Sequence, residues 1–223
     1  MSDREQYVVP SGTILGRRSL LDYTVIEEVV ERDSYRLRNL DLNGATVLDC
    51  GAHIGIFSTM CAYEGAARVV AVEPQPENLE LLHINCAPWP QIEIMGDAIA
   101  SGGGMVAITG ESGGSHLSDE GFVVSTVTLS YLINLCGRVD LLKLDMEGGE
   151  IDALLSTSHD HLARVQRIVM ETHGPAICPW VKEPAVGKIV EHLLPTHNIE
   201  SVAGFPTHLG MLFAQRNGCS YGW

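Results

Sequence analysis

The chain has 223 residues, 45% of them apolar and 19% charged, with a formal net charge of −14. That length fits one α/β domain with a sizeable core and excludes a disordered chain. The acidic balance argues against nucleic acid or an anionic lipid surface as partner, and no apolar run approaches the ~18–20 residues of a membrane span.

The first 20 residues are polar and hold no signal-peptide core, so a cytoplasmic location is the expectation. Leu20–Asp33 (LLDYTVIEEVVERD) sets Leu21, Val25, Val29 and Val30 on one helical stripe. Residues 1–40 are therefore expected to be an N-terminal helical extension, and 41–223 the main domain. Arg32, Arg36 and Arg38 lie close together and read as a solvated patch.

Alternation follows. Thr46–Cys50 (TVLDC), Arg68–Val72 (RVVAV), Gln91–Met95, Val139–Leu144 (VDLLKL), Arg167–Glu171 (RIVME) and Leu209–Gln215 (LGMLFAQ) are short apolar strands. Helical segments fall between them at Ile54–Glu64, Pro76–Asn85, from Glu150, and at Pro184–Leu194. Buried runs alternating with helices predict a doubly wound, mostly parallel sheet of about seven strands. Ser101–Ser115, rich in Gly and Ser around MVAIT, predicts a hairpin with a Gly/Ser loop, either a substrate lid or a plain surface insertion. The six cysteines, Cys50, Cys61, Cys86, Cys136, Cys178 and Cys219, form no C-x-x-C pair, which points to reduced structural thiols and no zinc site.

The strongest local signal is TVLDCGAHIGIF. A buried strand delivers Asp49, then Gly51, His53 and Gly55, into a helix whose first N–H groups are free. The next strand ends at Glu73, 24 residues after Asp49, where an acid can accept both ribose hydroxyls of an adenosyl group. A dinucleotide fingerprint from Gly51 needs Gly at 53 and 56; the chain has His53 and Ile56. An acidic protein suits a sulfonium cation better than a pyrophosphate, so S-adenosylmethionine is the expected cofactor. A nicotinamide-dependent oxidoreductase and a non-catalytic binding module remain as alternatives.

VLDCGAHIGIFS, VVAVEPQPENLELLHIN and VDLLKLDMEGGEIDALL together resemble the FkbM-type family of class I S-adenosylmethionine-dependent methyltransferases, over about residues 20–173. The resemblance implies a Rossmann-like seven-stranded sheet with an antiparallel last strand, and methyl transfer mostly to hydroxyl oxygen of a small molecule. It also implies that Asp49, Gly51, His53 and Gly55 line the methionine end, Glu73 holds the ribose, and Asp97 and Ala98 face the adenine. The family tends to carry Asn at the position of His53, and its usual L-D-D is Leu129–Ser130–Tyr131 here.

Ligands of such sheets lie beyond the carboxyl ends of the strands. Those ends carry Lys143, Asp145, Glu147, Glu171 and His173. Lys143, inside an apolar strand, must find a carboxylate. An alcohol acceptor needs a base; Asp145, Glu147, Glu171 and His173 are candidates, and His173 has the unperturbed pKa nearest neutrality, ~6.5. A second route places a Mg²⁺-like cation on Asp145, Glu171 and His173. The metal-free route is the favoured expectation. Gly148 and Gly149 make a tight turn, Glu150 suits the helix dipole, and Trp180 in Gly174–Pro184 is a candidate for substrate packing. The identity of the acceptor, oxygen against nitrogen, and homo-oligomerisation stay open.

Overall fold

The computed structural model describes residues 4–109, 116–118, 121–173, 178, 186–203 and 210–219. Two strands come first, β1 (Arg4–Val9) and β2 (Gly12–Arg17), paired as an antiparallel hairpin. The expected N-terminal helical extension is helical from Leu20 and is corrected before it, where this hairpin stands. The hairpin's outer strand is polar and alternates weakly. It is fixed by tertiary contacts: Asn85 accepts from Leu15 N (2.8 Å) and donates to Leu15 O (2.9 Å), acting as a strand partner. Helix α1 (Leu20–Ile26) then starts under a Ser19 cap and passes into a π-helical turn over Glu27–Glu31.

The repeating units follow as β3 (Thr46–Cys50), α2 (Ile56–Tyr63), β4 (Arg68–Val72), α3 (Pro76–Cys86) and β5 (Ile92–Met95). Short β6 (Ala98–Ile99), β7 (Gly104–Thr109), β8 (His116–Ser118) and β9 (Phe122–Val127) form a separate four-stranded sheet, so the predicted hairpin lies within a larger insertion. Residues 110–115, the Gly/Ser tip, lie outside the described residues. The main sheet resumes with α4 (Leu129–Cys136), β10 (Val139–Leu144), α5 (Gly149–Leu155), α6 (His159–Leu162), β11 (Val165–Thr172), α7 (Val186–Leu193), β12 (His197–Ala203) and β13 (Gly210–Arg216).

The sheet order is β12-β13-β11-β10-β3-β4-β5. β13 alone runs against its neighbours β11 and β12; the other described pairs are parallel. Period-two alternation splits each strand between two cores. Val47, Val69 and Leu141 face the cluster with Phe57 and the N-terminal segment, while Leu48, Val70 and Leu142 face the cluster with α4 and α5. Burial on both faces is why these strands read as unbroken apolar runs. All six cysteines are free. Among the described residues, no helix is long and apolar enough to cross a membrane.

Candidate active site

The site forms where β3, β4, β10 and β11 end side by side. After β3 the backbone turns back on itself, with Gly51 at φ +84° and Gly55 at φ +92°. A Cβ on Gly51 would stand 1.8 Å from Asp145 O, so glycine is required there by the neighbouring strand end. A Cβ on Gly55 would meet Leu82 Cδ1 at 2.8 Å, which ties the start of α2 to α3. Between them His53 takes φ +52°, a left-handed conformation costly for a residue with a side chain.

Charges at this end are met by the chain's own donors. Asp49 is fully buried and turned inward: Ser58 Oγ donates to its Oδ2 at 2.7 Å, and Lys143 Nζ lies 3.2 Å from its Oδ1. Glu73, at the end of β4, accepts from His53 N (2.9 Å), Gln75 N (2.9 Å) and Asn78 Nδ2 (3.2 Å). Burial raises its pKa, and those three donors pull the other way. The His53 ring packs against Arg17 Nη2 (3.3 Å), whose guanidinium forks onto the buried Asp22. Burial and the Arg17 charge push His53 down to about 4, so it is neutral near pH 7. Asp97, after β5, accepts a short hydrogen bond from Ser125, and Ala98 pairs with Thr126 in the smaller sheet.

The second end is crowded with acids. Lys143, 4% exposed, donates to Gly51 O at 2.7 Å and pairs with Asp145 Oδ2 at 3.4 Å. Tyr35 OH donates to the same Oδ2 at 2.9 Å. Glu150, fully buried at the start of α5, accepts from Gly148 N (2.9 Å), His173 N (3.2 Å) and His173 Nδ1 (3.0 Å). His173 Nε2 then faces Glu147 Oε2 at 3.5 Å and Asp145 Oδ1 at 4.0 Å. Glu147, like His53, is a non-glycine residue at φ +52°.

Protonation follows from that crowding. Burial would lower His173, but the Glu150 bond and the charges of Glu150, Asp145 and Glu147 raise it to about 10. The expectation of His173 as the base nearest neutrality is therefore corrected: at pH 7 it is an imidazolium. Glu171 is pushed up to about 9 by burial and by Asp145, with which it shares a hydrogen bond. Burial opposes the charge on Asp145, yet Lys143 and His173 hold its pKa below the usual value. Glu147 is raised to about 7, first by burial and then by Asp145 and Glu150, with His173 opposing. Lys143 is raised as well: burial works against its charge, and Asp49 and Asp145 outweigh it.

The structure thus brings Lys143, Asp145, Glu147, Glu171 and His173 together, and sets Asp49, Gly51, His53, Gly55 and Glu73 beside them. Asp97 and Ala98 lie farther along, at the end of β5. Cys178 Sγ reaches Glu147 Oε2 at 3.7 Å, whereas Trp180 and the rest of Gly174–Pro184 fall outside the described residues. Three residues of the site carried no distinct signal in the sequence. Tyr35 reaches Asp145 across 110 positions, and Glu28 approaches it from the π-helical turn, where burial and the Asp145 charge raise its pKa. Glu150 looked like a helix-dipole residue; only the meeting of α5 with the end of β11 shows it gripping His173.

Comparison with known proteins bears on the family and the fold. Residues 49–196 match the Methyltransferase FkbM domain. The methyltransferase sdnD of Sordaria araneosa is 26% identical over 195 residues, 68% of this chain and 75% of that protein. The AMB antimetabolite synthetase AmbE of Pseudomonas aeruginosa is 29% identical over 196 residues, 66% of this chain but only 9% of that protein. Methyltransferase FkbM from Methylobacillus flagellatus KT has the same fold at a TM-score of 0.55 and 16% identity, covering 80% of this chain and 46% of that one. Precorrin-6y C5,15-methyltransferase from Geobacter metallireducens GS-15 superposes at a TM-score of 0.51 with 15% identity, over 84% and 88% of the two chains. The domain match takes in both loops of the site, the end of β3 and four further strands of the main sheet, and the chain belongs to the FkbM methyltransferase family.

Proposed function

We propose that the chain transfers a methyl group from S-adenosylmethionine to a hydroxyl oxygen of a small molecule. One observation carries the reading: the glycine bend and the acid cluster are a single unit. Lys143 Nζ donates to Gly51 O at 2.7 Å, and Asp145 N donates to Cys50 O at 3.1 Å. A ligand seated on the bend would therefore lie against Asp145 and Glu147.

The residues fit this cofactor. Glu73 is buried at the end of β4 with its oxygens already oriented by three donors, a ready acceptor for ribose hydroxyls. Near the bend Asp49, Asp145 and Glu150, with Glu147 partly ionised at neutral pH, outnumber Lys143 and His173, and such a surplus of acid favours a cation. When bound, the cofactor supplies an electron-poor methyl group on positively charged sulfur. The chain must supply orientation and a place for the acceptor's proton. Glu147 takes the proton: its side chain is 28% exposed and its pKa of about 7 lets it act near neutrality. His173 and Lys143 hold Asp145 and Glu147 in place. By analogy with the family, Asp97 and Ala98 would border the adenine.

The test is a transfer screen with methyl-labelled cofactor against metabolite extracts, read by mass spectrometry. Label on the oxygen of a small molecule is expected. Label on nitrogen would shift the acceptor class, and label in nucleic acid alone would overturn the reading.

A further inference from the structure

We propose that Asp145, Glu171 and His173 bind a divalent first-row transition-metal ion. The metal-assisted route weighed from sequence is taken up here because of how His173 and Asp145 are held.

One ligand atom from each of the three lies within 4.8 Å of the others. Two ligands of one ion with bonds of ~2.1 Å stand roughly 3 Å apart when adjacent and about 4.2 Å when opposite. The His173 Nε2 to Asp145 Oδ1 separation of 4.0 Å falls within that range. It is too long for a hydrogen bond.

His173 is the pivot. Its side chain is 3% exposed, and Nδ1 is spent on Glu150. Among the described residues Nε2 makes no hydrogen bond, though it points into the carboxylates. A buried imidazole fixed at one nitrogen by a carboxylate, with the other aimed at oxygen ligands, is the arrangement metal-bound histidines adopt. Glu150 is itself locked by Gly148 N. Asp145 is oriented in the same way: Tyr35 and Lys143 hold Oδ2, which leaves Oδ1 turned toward His173. Outer partners of this kind keep a ligand set in place before the ion arrives.

Access and chemistry agree. Asp145 is 22% exposed on its side chain, so the cluster opens on one side. An imidazole among carboxylates suits Mn²⁺ or Zn²⁺ better than Mg²⁺ or Ca²⁺, which prefer oxygen alone. Glu147 and Cys178 form a second ligand set with His173 and could close the coordination sphere. The ion would occupy the site of the proposed methyl transfer and displace to solvent the protons that His173 Nε2 and Glu171 carry in the metal-free chain, but its binding does not depend on that reaction.

The test uses the full chain stripped with chelator and titrated with Mn²⁺, followed by electron paramagnetic resonance. One saturable Mn²⁺ per chain is expected, undisturbed by a tenfold excess of Mg²⁺. Glu171→Gln and His173→Gln should abolish saturable binding, and Glu150→Gln should weaken it by about 10–100-fold. Tyr35→Phe, which removes only the hydrogen bond to Asp145 Oδ2 and touches no ligand atom, should weaken it by a smaller factor, and metal-free melting curves identify any variant that fails to fold. Absence of saturable Mn²⁺ binding, or equal binding in folded Glu171→Gln and wild type, would overturn the proposal. A thermal shift with S-adenosylhomocysteine on the same samples separates the two ideas: a shift without metal binding removes only the ion.

Discussion

The two halves of the site treat charge in opposite ways. At the ends of β3 and β4, Asp49 and Glu73 are buried and each is answered by donors from the chain: Ser58 and Lys143 for one, His53, Gln75 and Asn78 for the other. At the ends of β10 and β11, Asp145, Glu147, Glu150 and Glu171 crowd around His173, and Glu147 and Glu171 are pushed up to about 7 and about 9. The first half is organised before any ligand arrives. The second keeps groups that change protonation within reach of neutral pH, which is what proton transfer requires.

The contrast breaks most visibly in turnover. Glu147→Gln keeps the size of the side chain and removes the base, so turnover of a hydroxyl acceptor should fall by about 10²–10⁴-fold. In the wild type the rate should rise with pH through about 7, as Glu147 loses its proton, and then level. A rate indifferent to Glu147→Gln would move the base elsewhere.

Stability should expose the link between the halves. Lys143→Met leaves Asp49 buried and unpaired, and breaking a buried pair from one side costs about 3–5 kcal/mol. Urea unfolding measures this, and adding Asp49→Asn to Lys143→Met should recover part of the loss. Gly51→Ala should cost somewhat less, about 2–4 kcal/mol, because the new methyl must displace Asp145 O and adopt a left-handed backbone. An unchanged unfolding midpoint in that variant would show the two strand ends to be uncoupled.

A gentler probe is the alkaline stability of the chain stripped of metal. In the folded chain His173 and Glu171 keep their protons to about 10 and about 9. Unfolded, they release them near ~6.5 and ~4.3. The folded state then binds more protons, so stability falls as pH rises. The His173 contribution is full below ~6.5 and gone above about 10. Urea midpoints should decline steadily over that window, and midpoints that rise from pH 7 to 9 would contradict the crowded-acid account.

The sequence made the first half far more legible than the second. Strands Thr46–Cys50, Arg68–Val72 and Val139–Leu144 appear at their expected bounds, because burial on both faces makes each one an uninterrupted apolar run. β11 extends two residues earlier than its pattern, and β12 (HNIESVA) was missed because polar residues interrupt an edge strand. The β1–β2 hairpin was hidden for a related reason: its stability comes from Asn85, 70 residues away. Site residues close in sequence, such as Gly51, His53 and Gly55, were visible as a motif. Tyr35, Glu28 and the grip of Glu150 on His173 depend on distant elements meeting, which no local spacing encodes. The charge state of His173 is not legible in the sequence, because an unperturbed value holds only where neighbours are absent.

The central claim is that the bend beside Glu73 holds the adenosyl cofactor while the β10–β11 acids serve the acceptor. Calorimetric titration of S-adenosylhomocysteine into wild type, Glu73→Gln and Glu147→Gln tests it directly. The account predicts affinity weakened at least tenfold in Glu73→Gln and within about twofold of wild type in Glu147→Gln, a difference of roughly 1.4 kcal/mol or more against nearly none. The reverse pattern, or no binding to the wild type, would contradict it.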